Sequence, residues 1–265
     1  MTRSPDHNVH QLQELLERGR IKAVILDFDG TMLDINEPLH KSVTEVFQKY
    51  GIYPDWERAM IEVGTVLDTV QALPIPKIIL ESHDIFKMVT AVDGYHLLKK
   101  LRVAAAIFSR YQKMSETAKL FPGVEDLLAA LVNRTKLFVV SHNRTKRIEE
   151  QLLKFGLSKY FAGVYGVDQL PALKPDPQAV QFAAAQVQPY KPEEILVIGD
   201  MPTDIEAGLA AGFWTVGVSS GFIPYSHLQT ANPDVLVHNL PELMETLRLK
   251  HAPVLEVVQK RNKYT

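Results

Sequence analysis

The apolar and polar residues follow two different patterns along the chain, and each pattern is typical of one kind of secondary structure. Short apolar runs rich in β-branched residues, with polar residues on either side, are typical of buried parallel strands. Longer stretches with apolar residues three and four positions apart are typical of amphipathic helices. The first pattern predicts strands at residues 21–27, 136–141, 164–167, 195–198, 214–218 and 234–237.

Helical patterns lie before the first predicted strand and between the later ones. The first helix is predicted at residues 8–18, with Asn8 as its N-cap and Gly19 just after its end. The later helices are predicted at residues 124–132, 145–155, 176–187, 205–211 and 240–249. Strands that alternate with helices in this way form a parallel sheet with helices on both faces, so a doubly wound, Rossmann-like α/β fold is expected.

The segment between the first two predicted strands differs from the rest, because no strand pattern interrupts it. Helices are predicted there at residues 37–50, 56–71, 77–92 and 94–115. A connection of this length is too long for a loop between a strand and a helix. The sequence therefore predicts an inserted α-helical domain at residues 34–113, and a core domain formed by residues 1–33 and 114–265.

Polar side chains follow three of the predicted strands at the points where these strands end. The residues are Asp27 and Asp29, Ser141 and Asn143, and Asp200 and Asp204. The carboxyl ends of the strands in a doubly wound sheet lie along one edge, so these side chains are expected to meet in one crevice. Two of these clusters also have a plainer interpretation: Asp-Phe-Asp-Gly is a common kind of turn, and Asp204 is equally suited to cap a helix.

Lys174 is the one lysine that the pattern singles out. It lies between a predicted loop and Pro175, which suits a fixed charge, although an isolated lysine is more often solvated surface. Several carboxylates, a lysine and a hydroxyl in one crevice suit phosphoryl transfer. Carboxylates bind Mg²⁺, while a lysine and backbone N–H groups stabilise the equatorial phosphoryl oxygens.

Composition and charge exclude several classes of function. The chain has 265 residues, 46% of them hydrophobic, and a formal net charge of −2, so no overall field directs it to nucleic acid or to an anionic membrane. The absence of cysteine excludes disulfides, thiolate metal sites and cysteine nucleophiles. The first residues of the sequence lack the apolar core of a signal peptide, and no apolar run reaches membrane-spanning length. A soluble cytoplasmic protein, monomeric or homodimeric, is expected.

Four motifs in order along the chain resemble those of the haloacid dehalogenase (HAD) superfamily. They are Asp27-Phe28-Asp29-Gly30-Thr31, Ser141, Lys174 and Gly199-Asp200 with Asp204. The helical block after the first motif resembles the α-helical cap of the phosphoglycolate phosphatase-like branch. The residues around Phe121-Pro122-Gly123 and Lys174-Pro175-Asp176-Pro177 are similar to that branch as well.

The resemblance implies a role for each catalytic position. Asp27 would be the nucleophile that forms an aspartyl-phosphate, and Asp29 the general acid and then the general base. Ser141 would bind a phosphoryl oxygen, and Lys174 would neutralise Asp27 and the phosphate. The cap would close over the crevice, exclude water and determine specificity.

The resemblance also implies a Mg²⁺ site and a phosphate site. The metal set comprises Asp27, Asp29 through its backbone carbonyl, Asp200, and Asp204, which would hold a metal-bound water or Lys174. The implied phosphate-binding residues are Gly30, Thr31, Ser141, Asn143 and Lys174.

These roles imply a Mg²⁺-dependent phosphatase that acts on a small phosphorylated metabolite, for which phosphoglycolate is one suggestion of the resemblance. Dehalogenases and phosphonate-cleaving relatives lack the second aspartate, whereas Asp29 is present. Sugar phosphomutases of the superfamily remain an alternative, but they place a histidine early in the cap, and His40 lies one residue out of that register. A non-catalytic regulatory protein is a third hypothesis, disfavoured because every catalytic position is filled.

Overall fold

The computed structural model describes residues 5–71 and 88–249 of the chain. The chain forms two compact units, one of Met1–Met32 with Phe121–Thr265 and the other of Leu33–Leu120. The second unit ends later than residue 113, because two-residue strands at Leu33–Asp34 and Lys119–Leu120 pair with each other. The assignment of the two units to a catalytic core and a specificity cap stays a prediction.

The strands, numbered in chain order, are β1 Ala23–Leu26, β2 Leu33–Asp34, β3 Lys119–Leu120, β4 Lys136–Val140, β5 Phe161–Tyr165, β6 Ile195–Gly199, β7 Trp214–Val218 and β8 Val235–Val237. Six of them form one parallel sheet in the order β5-β4-β1-β6-β7-β8. After β1, the chain adds β4 and β5 on one side of this strand and then β6, β7 and β8 on the other side. The predicted doubly wound α/β fold is therefore confirmed.

The helices of the described residues are α1 Pro5–Glu17, α2 Asn36–Lys49, α3 Trp56–Gln71, α4 Leu97–Ser115, α5 Val124–Val132, α6 Thr145–Lys154, α7 Gln178–Ala184, α8 Pro202–Ala210, α9 Tyr225–Thr230 and α10 Leu240–Thr246. None of these helices is both long enough and apolar enough to cross a lipid bilayer.

The central strands are apolar throughout because helices cover both faces of the sheet. Ala23 and Ile25 of β1 belong to a cluster with Phe138 of β4 and with the alanines of α7. Val24 and Leu26 point to the opposite face and are equally buried. A strand buried on both faces carries no polar alternation, which explains why continuous apolar runs identify these strands.

Some boundaries of the helices and strands differ from the prediction for local reasons. The first helix begins at Pro5, so the predicted N-cap Asn8 lies inside it and donates through Nδ2 to Asp234 Oδ1 at 3.4 Å. Proline suits the first turn of a helix because it lacks only an N–H that would have no helical partner there. Strand β5 ends before the predicted residues 166–167. It lies at the edge of the sheet and is only partly buried, so its apolar pattern marks its bounds poorly.

Helices α2, α3 and α4 form the described part of the Leu33–Leu120 unit. Helix α4 begins at Leu97 rather than at Gly94, because His96 is its N-cap and its Nδ1 accepts from the Lys99 backbone N–H at 3.3 Å. Most of the helix predicted at residues 77–92 lies outside the described residues, and Thr90–Val92 form a single 3₁₀ turn.

Candidate active site

The register of the sheet brings the predicted polar strand ends together at one edge. Leu26, the last residue of β1, pairs with Val139 of β4 on one side and with Ile198 of β6 on the other. The residues that follow these strands therefore leave the sheet at nearly the same height. Asp27 stays level with β6, because its backbone N–H donates to the Ile198 carbonyl at 2.9 Å.

Lys174 lies between two of the carboxylates and is almost completely buried, with 6% of its surface exposed. Its Nζ donates to Asp27 Oδ1 at 2.6 Å, to Asp204 Oδ1 at 2.5 Å and to the Val140 carbonyl at 3.2 Å. Asp27 directly follows β1, Val140 is the last residue of β4, and Asp204 lies in α8, the helix that follows β6. Lys174 is therefore held in a fixed, buried position, as predicted, and the alternative that it lies on the solvated surface is wrong.

Asp204 combines both of the roles that its sequence context left open. Its Oδ1 accepts from Lys174, while its Oδ2 accepts from the Met201 backbone N–H at 3.0 Å, next to the start of α8. The backbone approaches closely here, since a Cβ on Gly199 would lie 2.2 Å from the Asp204 carboxylate. Gly199 therefore makes room for a carboxylate that caps the helix and holds the lysine.

Asp200 lies at the end of β6 and is completely buried. Thr31, also completely buried, donates from Oγ1 to Asp200 Oδ1 at 2.7 Å. The backbone of Gly30 is equally close, because a Cβ there would lie 2.2 Å from Asp200 Oδ2. With φ of +88°, Gly30 also has a conformation that other residues adopt only under strain.

The carboxylates of Asp27, Asp200 and Asp204 form a cluster that fits a divalent cation. One oxygen from each lies within 4.8 Å of the others, and all three residues are buried. Three carboxylates and one ammonium leave a formal charge of −2, which a divalent ion would balance. Hard oxygen ligands of this kind suit Mg²⁺.

Burial raises the pKa of Asp27 well above its usual range, because a desolvated carboxylate resists ionisation. The ammonium of Lys174 lowers this pKa, while the charges of Asp204 and Asp200 raise it further. Positive charge beside Asp27 thus controls whether this side chain is an anion, and therefore whether it can attack an electrophile.

Asp29 is partly exposed and lies apart from this three-carboxylate cluster. Its Oδ2 accepts a hydrogen bond from Asn143 Nδ2 at 2.8 Å, which links the first polar strand end to the second. The Asn143 backbone N–H in turn donates to Ser141 Oγ at 3.1 Å. The side chain of Asp29 is therefore oriented by an amide, and the prediction that its backbone carbonyl binds metal stays a prediction.

The segment that carries Asn143 is supported by the end of β5. The Val167 backbone N–H donates to the Asn143 carbonyl at 2.9 Å, and the Ser141 N–H donates to the Tyr165 carbonyl at 3.1 Å. A Cβ on Gly166 would lie 2.4 Å from the Asn143 carbonyl oxygen, so the two backbones are in close contact. Ser141 and Asn143 consequently have little freedom to move relative to Asp29.

The structure also shows the surroundings of two further residues that the sequence analysis named. The Thr31 hydroxyl donates to Asp200, so its side chain supports a carboxylate, and phosphate binding by Thr31 stays a prediction. His40 is exposed on α2, in the Leu33–Leu120 unit.

Sequence reasoning missed the loop that follows β7. Ser220 Oγ donates to the Gly30 carbonyl at 2.8 Å, and a Cβ on Gly221 would lie 2.0 Å from Asp200 Oδ2. The same strand-end rule that identified Asp27 would have found this loop, because β7 is a buried apolar strand followed by Ser219, Ser220 and Gly221.

The sequence profile of a family described as haloacid dehalogenase-like hydrolase matches residues 24–218 of the chain. A phosphoglycolate phosphatase from Salmonella paratyphi A is 26% identical in a match of 244 residues, and the match covers 89% of this chain and 96% of that protein.

Solved structures of other proteins share the fold. A HAD-hydrolase from Bacillus subtilis that is bound to magnesium has a TM-score of 0.61 and 19% identity, covering 86% of this chain and 99% of that one. A protein described as a β-phosphoglucomutase from Bacteroides vulgatus has a TM-score of 0.59 and 20% identity, covering 91% and 99%. At these identities the likeness establishes the fold.

Proposed function

Because the chain belongs to the haloacid dehalogenase-like hydrolase family, we propose that it is a Mg²⁺-dependent phosphatase that hydrolyses a small phosphate monoester through an aspartyl-phosphate. The observation that carries the proposal is the buried Lys174, which contacts Asp27 and Asp204 beside Asp200. Buried carboxylates that converge on one lysine cost folding free energy, so their presence favours a functional role.

Asp27 and Asp200 would hold Mg²⁺, with Asp204 close enough to contribute directly or through a water. The magnesium-bound relative from Bacillus subtilis supports the choice of metal. When bound, Mg²⁺ would supply the charge that offsets repulsion between an anionic nucleophile and an anionic ester. The ammonium of Lys174 lies beside Asp27 and adds a positive charge of its own, whether or not Mg²⁺ is bound.

In the first half of the reaction, a carboxylate oxygen of Asp27 attacks phosphorus and the bond from phosphorus to the ester oxygen breaks. The leaving oxygen takes a proton from Asp29, so an alcohol departs rather than an alkoxide. Asn143 orients Asp29 for this transfer through the 2.8 Å hydrogen bond to Oδ2. The partial exposure of Asp29 suits a group that meets the leaving group and water.

In the second half, a water molecule attacks the phosphorus of the aspartyl-phosphate. Asp29, now ionised, takes a proton from this water, and the bond between phosphorus and the Asp27 oxygen breaks. The products are inorganic phosphate and the restored carboxylate of Asp27. Lys174 stabilises the carboxylate as it reforms, because its ammonium lies 2.6 Å from Oδ1.

The phosphoryl oxygens would be bound by Ser141, Lys174 and the backbone N–H groups around Gly30 and Asn143. Donors fixed in advance stabilise a transition state better than mobile donors, since they need no reorganisation. The support that Ser141 and Asn143 receive from the end of β5 fits this requirement.

We assign substrate selection to the helical Leu33–Leu120 unit. The donors described above concern the phosphoryl group alone, so the rest of the ester must be recognised elsewhere. The phosphoglycolate phosphatase relative makes a short acidic phosphate ester the first compound to test.

A screen of phosphate release with and without Mg²⁺ tests the function. Turnover of small monoesters should require Mg²⁺ and disappear in EDTA. Asp200→Asn should raise the Mg²⁺ concentration needed for half-maximal rate by about 10- to 100-fold, because it removes a charged ligand while preserving shape. Exposed Asp126→Asn provides the matched control and should behave as wild type.

Full turnover in EDTA would contradict the metal assignment. A phosphoenzyme that persists, and that releases its phosphoryl group only to a sugar phosphate, would favour the phosphomutase alternative instead.

A further inference from the structure

The loop between β7 and α9, residues 219–224, reaches the acidic cluster from a fourth strand end. Ser220 Oγ donates to the carbonyl of Gly30 at 2.8 Å, across 190 residues of sequence. Gly30 is the residue at which the chain turns away after Asp27 and Asp29, with a φ of +88° that glycine adopts without strain. The hydrogen bond to its carbonyl therefore holds the turn in place at this residue.

Gly221 contributes by its lack of a side chain. A Cβ at this position would lie 2.0 Å from Asp200 Oδ2, a distance that no packed structure permits. Its backbone conformation is not in the left-handed region, so the reason for glycine here is close approach rather than φ. The Asp200 carboxylate thus lies between two glycine backbones, Gly30 and Gly221, and accepts from Thr31.

The rest of the loop is held independently of the acidic cluster. The Ser219 backbone N–H donates to the Val237 carbonyl of β8 at 2.9 Å, and Ser219 Oγ donates to the Ile223 carbonyl at 3.2 Å. The first bond involves only backbone atoms and fixes the loop to the sheet, whereas the second lies within the loop and involves neither Ser220 nor Gly221. Ser220 is consequently presented from a rigid support, which a positioning group requires.

We propose that Ser220 and Gly221 are positioning residues for the metal site: Ser220 fixes the turn at Gly30, and Gly221 confines the carboxylate of Asp200. The proposal rests on the proposed function, since it concerns the site that would hold Mg²⁺. Neither residue touches the reacting atoms in this assignment. Their effect is to keep Asp200 and the Asp29–Gly30 turn in the geometry that binds metal, as outer contacts of metal ligands do.

Ser220→Ala and Ser219→Ala form a matched pair for the test, because both remove one hydroxyl from the same loop. Calorimetric titration with Mg²⁺ should show about 10-fold weaker binding for Ser220→Ala and wild-type binding for Ser219→Ala. Ser220→Thr keeps the hydroxyl and should recover most of the affinity. Gly221→Ala should weaken Mg²⁺ binding more than Ser220→Ala, because the added methyl group must displace Asp200.

Rates measured against Mg²⁺ concentration give a second result. For Ser220→Ala, the half-saturating Mg²⁺ concentration should rise by a larger factor than the factor by which kcat falls. A general loss of folded enzyme would lower kcat alone. Equal Mg²⁺ affinity in Ser220→Ala and wild type would overturn the proposal, and so would equal losses in the two alanine variants. A folded wild type that binds no Mg²⁺ would overturn the proposed function and, with it, this proposal.

Discussion

Asp27→Asn is expected to abolish turnover, with a loss of about 10³-fold or more. An amide is a poor nucleophile, and the attack on phosphorus requires an ionised carboxylate at this position. The change preserves size, and the amide oxygen can still accept from Lys174, so the fold should survive. Phosphate release from a small ester at saturating Mg²⁺ is the measurement, with circular dichroism to confirm folding.

Asp126→Asn is the control, because Asp126 is exposed on α5 and outside the described site. Turnover by a folded Asp27→Asn protein at more than a small fraction of the wild-type rate would contradict the nucleophile assignment. Loss of turnover in both variants would indicate that the protein preparations are inactive for a reason unrelated to the nucleophile.

Lys174→Met is expected to reduce both turnover and stability strongly. It removes the ammonium that contacts Asp27 and Asp204, whose side chains are almost completely buried. Breaking a buried ion pair on one side costs about 3–5 kcal/mol, because the remaining charge has lost its partner. Chemical unfolding in EDTA gives the stability, and phosphate release at high Mg²⁺ gives the activity.

The pH dependence of this stability loss has a definite sign. Burial raises the pKa of Asp27 in the folded protein, and removal of Lys174 raises it further. A group with a raised folded pKa contributes stability below its unfolded pKa of about 4, and the contribution is lost as the pH rises through the folded pKa. The difference in the free energy of unfolding between wild type and Lys174→Met should therefore become smaller as the pH falls.

A double variant separates charge from packing. Adding Asp27→Asn to Lys174→Met removes one of the uncompensated carboxylates, so part of the lost stability should return while activity stays absent. Lys146→Met is the control, because Lys146 is 87% exposed in its side chain and should change the free energy of unfolding little. Equal stability of Lys174→Met and wild type in EDTA would contradict the role assigned to the ammonium.

The sequence allowed the sheet and most of its polar edge to be predicted for one physical reason. A strand buried on both faces must be apolar along its whole length, so its end is visible where polar residues begin. Asp27 and Asp200 stand at such ends, and the parallel register places them together. The family was predicted from the same residues, and the match over residues 24–218 confirms it.

Contacts between distant segments were beyond sequence reasoning. Thr31 belongs to a predicted catalytic motif, but the hydrogen bond from its hydroxyl to Asp200 depends on how β1 and β6 lie side by side. Gly221 has no side chain, so its importance arises only from the closeness of the Asp200 carboxylate. Helix α9 has six residues, too few for a periodic pattern to identify it.

The most direct measurement of the central claim is the intact mass of the protein after mixing with substrate and quenching in acid. Asp29→Asn keeps the nucleophile but lacks the base for the second step, so it should accumulate one phosphoryl group, located on Asp27 by peptide mapping. A nitrophenyl ester suits the test, because its leaving group needs little protonation. Asp27→Asn should carry no adduct. A phosphoryl group on the Asp27→Asn protein, or on another residue of Asp29→Asn, would contradict the claim.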